Sequence, residues 1–398
     1  MTAQLPSTRS ELLGLLSEAC EIEHALACVY LYAAFSVKTG LDEGLSWQEQ
    51  QHNVRDASEV YKVAAEEMFH LAQAWNLLTA IGGSPWLERP PFPRPRRAAP
   101  LHRALVLERW SKATLLSFHG FETPESPPEV PAFKRPRDVR GHFDYQTVGE
   151  LYELIADGIK ALPEQELFIG SGDAQADRAL ADFHELVPVR NRADALEAIG
   201  RIRRQGEGRY ESDPDSHFNT FERLLERLQA TPDPERLVRE VASTPLRYVD
   251  DGVPTGATLI THPRTLRLAS LFDDIYLLML QLLGFSFAQS TAPPALRRTF
   301  AQRSIQLMAR CIRPLGAALT REPIAEDGGS LRAGACFQLG RVVHLPSEPR
   351  VARRLVRERF ARLAEAARRL DSITHGGDRP LLRIAEHLAS LGELGAEA

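Results

Sequence analysis

Glu67 and His70 have the residue types and the spacing of metal ligands. They stand three residues apart in a stretch whose apolar residues recur at alternating steps of four and three. On a helix, this spacing turns side chains toward the core. Carboxylate and imidazole groups together suit iron or manganese ions. The pair therefore predicts a metal site inside a helical bundle, on an inward row that reads Val63, Glu67, His70, Ala74, Leu77 and Ile81.

A second inward row carries one acidic residue, Glu23, among uncharged neighbours. A buried carboxylate without a partner costs on the order of several kcal/mol unless a cation or hydrogen bonds compensate it. A bound metal ion is the expected compensation. The complete row reads Leu12, Leu16, Ala19, Glu23, Leu26, Tyr30, Ala33 and Val37.

The neighbours of these candidate ligands are expected to serve other purposes. His24 and Glu66 lie about 100° round the helix from Glu23 and Glu67, so they should face away from the site, near the surface. Tyr30 can donate a hydrogen bond or be oxidised, but core packing is its simpler interpretation.

The remaining ligands are less clearly marked. On the third predicted helix, Glu150 and Glu153 both lie beside an apolar row, and Glu150 is preferred because Glu153 leans toward solvent. On the fourth, Glu207 is followed three residues later by Tyr210 rather than by a histidine. The alternative imidazole is His217, which a looped-out insertion would return to the site. Without metal, these residues would form a buried hydrogen-bond network or lie at the surface.

Helical periodicity and frequent Ala, Leu, Arg and Glu predict an all-α fold. Prolines crowd residues 84–100, where they exclude regular structure, so residues 84–146 are interpreted as a crossover within a four-helix bundle of residues 1–230. A break at residues 212–215 precedes a further helical pattern from His217. The four bundle helices are predicted at residues 10–38, 54–81, 147–162 and 193–210.

Residues 231–398 are predicted to form a helical extension packed on the bundle. Residues 268–287 are apolar nearly all round a helix, which indicates burial against other helices. The tail at residues 393–398 is expected to be loose. The extension's helices are predicted at residues 265–288, 295–313 and 351–370.

Composition excludes several classes of protein. The 398 residues have a net charge of −5 with scattered basic residues, so nucleic acid is not an expected partner. The four cysteines form no Cys-x-x-Cys pair, and the start of the chain lacks the pattern of a signal peptide. The most apolar stretch is interrupted by Gln281. We therefore expect a cytoplasmic protein without a membrane span.

Several passages of the chain resemble one known family. They include residues 66–71 with 76–83, residues 21–24 with 30–32, residues 89–93, 148–152, 205–208 and 216–218, and, in the second half, residues 271–276 and 333–337. Over residues 12–339 the chain resembles the ferritin-like proteins related to the iminophenyl-pyruvate dimer synthases of violacein and rebeccamycin biosynthesis. The resemblance implies a metal set of Glu23, Glu67, His70, Glu150, Glu207 and His217.

The first expected function is a non-haem oxidase or oxygenase with two iron ions, or iron and manganese. It would act with dioxygen, and with an electron donor if one is needed, on a small organic, amino-acid-derived substrate of specialised metabolism. Glu67 and either Glu150 or Glu207 would bridge the ions, with His70 and His217 as terminal ligands. The alternatives are an iron-oxidising or storage protein and a metal-free interaction module. A homo-oligomer is compatible with each.

Overall fold

The computed structural model describes most of the 398 residues of the chain. The described residues are 5–94, 104–123, 143, 145, 147–178, 186–207, 213–288, 292–340, 344–371 and 380–394. Parts of the predicted crossover, Tyr210 and the last four residues lie outside them.

The fold is all-α, as predicted. In the described part of the chain, extended structure is limited to the two-residue parallel strands β1 (Pro245–Leu246) and β2 (Thr258–Leu259) and a few isolated bridges. The α-helices are α1 (Arg9–Ser36), α2 (Trp47–Ala80), α3 (Lys112–Phe121), α4 (Val148–Ala161), α5 (Glu164–Leu167), α6 (Arg192–Glu207), α7 (His217–Ala230), α8 (Pro263–Ala288), α9 (Pro294–Leu307), α10 (Arg313–Leu319), α11 (Pro349–Asp371) and α12 (Pro380–Gly392).

The two long helices α1 and α2 pack along each other and form the unbroken half of the bundle. A capping box between Thr8 and Glu11 starts α1 near the predicted position. The helix α2 starts seven residues before the predicted residue 54, because Ser46 and Glu49 form a second capping box. Its first turns are mainly polar and carry little apolar periodicity, which is why the sequence pattern did not reveal them.

The other half of the bundle consists of shorter helices. Both α6 and α7 contact α2, while α4 packs on α6 and on α1, and α3 packs on α7. The predicted third and fourth helices correspond to α4 and α6. The helix α3 was not predicted, because it lies inside the segment interpreted as a crossover. Ser111 caps it by accepting a hydrogen bond from the backbone N–H of Thr114.

The second half of the chain is helical and contacts the bundle. The helix α8 is long and apolar enough to cross a membrane, but 83% of its most apolar part is buried inside the structure. Tyr276 on this helix lies with its hydroxyl 2.7 Å from Nε2 of His24 on α1. The amphipathic helix α12 was not predicted. The division into domains at residue 230 remains a prediction.

Candidate metal centre

Three of the predicted ligands meet between α1 and α2. The residues Glu23, Glu67 and His70 are all at most 2% exposed. The Nδ1 atom of His70 lies 3.2 Å from Oε2 of Glu67 and 3.7 Å from Oε2 of Glu23. The inward rows seen in the sequence therefore bring these three groups together in the core.

Glu207 and His217 also belong to this group. Glu207 is the last described residue of α6, and α7 begins at His217, with Ser216 as its cap. Nδ1 of the fully buried His217 lies 2.9 Å from Oε1 of Glu67. The imidazole of His217 therefore lies in the core beside Glu67. Whether His217 binds metal remains a prediction.

Glu122 is a sixth acidic or imidazole group at this place, and the sequence analysis missed it. It follows the last residue of α3, is 2% exposed, and lies with Oε2 3.6 Å from Nδ1 of His217. The hydroxyl of Tyr30 donates a hydrogen bond to its Oε1. A sequence signal existed, because Leu115, Phe118 and Glu122 are spaced like one helix face. It was overlooked inside the proline-rich segment.

Glu150 occupies a different position from the other predicted ligands. It lies half-buried in the first turn of α4, where Thr147 accepts a hydrogen bond from its backbone N–H. A cavity of about 10 Å³ is lined by Glu122 and Glu207 but not by Glu150. Glu153 is exposed, as predicted. The predicted role of Glu150 as a ligand remains a prediction.

Two glycines allow the acidic groups to approach one another. A Cβ atom at Gly149 would lie only 1.9 Å from Oε2 of Glu207, and one at Gly206 would lie 3.3 Å from Oε2 of Glu122. A side chain at position 149 would therefore displace the Glu207 carboxylate. The passages Val148-Gly149-Glu150 and Gln205-Gly206-Glu207 keep room for carboxylates at the contact between α4 and α6.

The acidic groups perturb one another's protonation. Burial raises the pKa of Glu207 to about 9, and repulsion by Glu122, Glu23 and Glu150 adds to it, although Arg203 opposes the shift. Burial, followed by repulsion from Glu67, raises the pKa of Glu23 to about 7. Protons thus remain on groups that are ordinarily ionised at neutral pH. The site favours added positive charge.

Histidine cations supply part of that charge in the metal-free protein. Burial by itself lowers the pKa of His70, but the nearby carboxylates of Glu23 and Glu67 outweigh it and raise the pKa to about 10. The pKa of His217 is likewise raised, against the effect of burial, by attraction to Glu67. Burial and Glu122 act to raise the pKa of Glu67, but the two histidines bring it below its ordinary value.

Several buried atoms that face this cluster have no hydrogen-bond partner. Oε1 of Glu67 and Nδ1 of His217 lie 2.9 Å apart, yet they lack hydrogen-bond geometry. Oε2 of Glu23 and Oε1 of Glu207 also have no partner. Buried polar atoms are normally paired, so these orphans fit a group that completes them. Glu67, His70 and His217 can bring one ligand atom each within 4.8 Å of one another.

An outer set of polar side chains orients the candidate ligands. Tyr152 donates a 2.7 Å hydrogen bond to Oε1 of Glu23, and Oε1 of Gln205 lies 3.1 Å from Nε2 of His70. Such contacts fix the direction in which a ligand atom points. Glu66 takes part as well, because its Oε2 lies 3.2 Å from Nε2 of His217.

The expectation that Glu66 and His24 lie near the surface is wrong for His24 and incomplete for Glu66. His24 is buried and pairs with Tyr276, because α8 covers that face of α1. Glu66 is half-buried and contacts His217, because α7 packs beside α2. The position of a residue on its own helix does not show that another helix packs against it, as α8 does at His24 and α7 does at Glu66.

Comparisons with known proteins agree with this geometry. Residues 16–226 match the protein family described as Ferritin-like. A crystal structure of a ferritin-like protein from Caulobacter vibrioides has a TM-score of 0.50 and 19% sequence identity, and the match covers 85% of this chain and 99% of that one. This likeness confirms the fold.

Two enzymes of known activity are similar in sequence. A dichlorochromopyrrolate synthase from Lentzea aerocolonigenes is 29% identical over 97% of this chain and 41% of the synthase. A 2-imino-3-(indol-3-yl)propanoate dimerase from Chromobacterium violaceum is 25% identical over 79% of this chain and 33% of the dimerase. The chain therefore spans less than half the length of either relative. The family resemblance inferred from the sequence is confirmed.

Proposed function

The chain belongs to the ferritin-like family, and on this premise we propose that it is an oxidoreductase with a two-metal carboxylate centre. One observation carries the proposal. The Glu67 carboxylate has a different imidazole at each oxygen, with His70 3.2 Å from Oε2 and His217 2.9 Å from Oε1. A carboxylate in that position can bridge two ions that each have one histidine ligand.

The residues present fit iron, with manganese as the alternative ion. His70 and Glu23 would hold one ion, His217 would hold the other, and Glu67 and Glu207 would contribute to the shared centre. The oxygen and nitrogen donors suit these ions. Bound iron would supply the electrons needed to activate dioxygen.

The chain's own residues prepare the site for such chemistry. Tyr152 donates to Oε1 of Glu23 and leaves Oε2 free toward the centre. Glu207, with its raised pKa, holds a proton on its carboxyl group in the metal-free protein. The apolar side chains of Leu26, Val148 and Ile202 line the same cavity and exclude bulk water from it.

We assign the substrate to a chemical class through the relatives. One is a synthase of dichlorochromopyrrolate and the other a dimerase of an indolyl imino acid. For this chain we propose a small organic substrate derived from an amino acid, oxidised with dioxygen in specialised metabolism. Because the chain spans only part of each relative, the coupling of two substrates is not included in the proposal.

Dioxygen consumption tests this proposal. The iron-loaded protein should consume dioxygen when an amino-acid-derived imine and a reductant are supplied, and the organic compound should be converted. The variant Glu67→Gln should lose this activity, whereas Glu18→Gln, on the surface-facing side of α1, should keep it. Dioxygen use without conversion of any organic compound would contradict the proposed substrate class.

A second candidate function is iron oxidation without an organic substrate. The cavity of about 10 Å³ at the centre favours it, because this volume suits a water or an ion rather than an organic molecule. The two functions differ in what happens to excess Fe²⁺. An iron-handling protein would oxidise and retain many ions per chain, whereas an oxygenase would stop at about two.

A further inference from the structure

The inference concerns the fourth carboxylate of the metal centre, and it rests on the proposed function. We propose that Glu122 binds the ion that His217 binds. The centre would then draw this ligand from the end of α3, inside the segment interpreted as a crossover, rather than from Glu150 on α4.

Distances to His217 give the first argument. Oε2 of Glu122 lies 3.6 Å from Nδ1 of His217, and the same nitrogen lies 2.9 Å from Oε1 of Glu67. That nitrogen has no hydrogen-bond partner. Two carboxylate oxygens therefore approach one buried, unpartnered nitrogen, which is the arrangement expected when all three atoms face one ion.

The charge of Glu122 gives the second argument. The residue is 2% exposed, and within the described part of the chain its one ion pair is with His217. His217 also faces Glu66 and Glu67, so three carboxylates face one imidazole. The one histidine compensates little of the negative charge of Glu122, so a further cation would stabilise this buried carboxylate.

The fit of Glu122 in its surroundings gives the third argument. Tyr30 is fully buried and donates a hydrogen bond to Oε1, which orients the carboxylate and leaves Oε2 toward His217. Gly206 provides space on the other side, because a Cβ there would lie 3.3 Å from Oε2. Glu150 has neither this burial nor a place in the wall of the cavity.

Two matched variants test the inference by metal content rather than by activity. Glu122→Gln and Glu150→Gln each remove one carboxylate charge while keeping the shape of the side chain. After loading with Fe²⁺ without oxygen, we expect about two ions per chain in the wild-type protein and in Glu150→Gln. Glu122→Gln should bind the second ion at least about tenfold more weakly. Mutations close to a metal site lower its metal affinity by about this factor.

The outcomes separate the inference from the function on which it rests. Wild-type binding of two ions together with full occupancy in Glu122→Gln would overturn the inference and leave the proposed function standing. If Glu150→Gln loses an ion and Glu122→Gln does not, the inference is overturned, and the prediction from the sequence that Glu150 is a ligand is supported. A wild-type protein without metal would overturn both.

A crystal of the wild-type protein loaded with manganese provides a measurement that does not depend on the variant folding. Anomalous scattering locates the ions directly. An ion within bonding distance of both Glu122 and His217 would support the inference, and an ion near His217 with Glu122 turned away from it would overturn the inference.

Discussion

Glu67 is the residue on which the proposed metal centre depends, because each of its carboxylate oxygens lies beside a different histidine. The sequence marked Glu67, His70 and Glu23 because each occupies an apolar row of a long helix. Its signal for Glu122 was weaker, because a ten-residue helix offers only a short row of apolar residues. Tertiary packing, rather than local spacing, brings that residue to the site.

His217 provides a prediction at the level of a single residue. His217→Ala should weaken metal binding by about tenfold or more, because it removes the imidazole beside Oε1 of Glu67. His52→Ala, at an exposed position on α2, should bind metal like the wild-type protein. Isothermal titration calorimetry with Fe²⁺ or Mn²⁺ measures the metal affinity of both variants and of the wild-type protein. Equal affinity in all three proteins would contradict the assignment.

Protonation at the centre predicts how the stability of the metal-free protein depends on pH. The pKa values of Glu23, Glu207 and His70 are raised to about 7, 9 and 10, above the ordinary values of 4.5 and 6.5. These groups bind protons more tightly in the folded state, so their stabilising effect is complete below the ordinary values and is lost as pH rises through the raised ones. Glu67, whose pKa is lowered, stays ionised throughout this window.

The melting temperature of chelator-treated protein should therefore fall between about pH 5 and about pH 9. Metal-loaded protein should lose less stability over this range, because bound ions take the place of the protons. At about pH 8 the loaded protein should melt at least about 5 °C higher than the stripped protein. Identical melting curves, once metal loss has been verified, would mean that the ions do not bind among these groups.

At the level of elements, several candidate ligands lie near the ends of short helices. Glu122 follows α3, Glu207 is the last described residue of α6, and His217 is the first residue of α7. The unbroken helices α1 and α2 could be predicted because their apolar rows run over many turns. The half of the bundle that consists of short helices could be predicted only in part, because short helices contain few apolar repeats. The prediction that His217 lies at the site depended on the family resemblance.

Gly149 supplies the prediction for the contact between α4 and α6. Alanine normally stabilises a helix relative to glycine by about 1 kcal/mol. Gly149→Ala should nevertheless weaken metal binding by about tenfold, because the new Cβ would lie 1.9 Å from Oε2 of Glu207 and displace it.

The matched control is Gly200→Ala on α6, where the nearest side-chain atom would lie 3.5 Å from the new Cβ. This variant should keep its metal and melt at the same or a higher temperature. Metal titration and thermal melting of both variants separate displacement of Glu207 from a general effect of alanine. Unchanged affinity in Gly149→Ala would show that the position of Glu207 does not matter for binding.

At the level of the whole molecule, the described residues of the second half of the chain pack on the face of α1 that carries His24 and Cys28. Tyr276 contacts His24 and Cys28, and the backbone carbonyl of Phe337 accepts a hydrogen bond from Arg89. The sequence indicated that α8 is buried, but not what it covers. The candidate ligands lie between residues 23 and 217, inside the stretch 16–226 that matches the family.

The metal content of the purified wild-type protein tests the central claim most directly. One sample is loaded with Fe²⁺ and another with Mn²⁺, both in the absence of oxygen. Excess ions are then removed, and the bound metal is measured by elemental mass spectrometry. The account predicts about two ions per chain for at least one of these metals. A content near zero with both, in protein that is folded by circular dichroism, would contradict it.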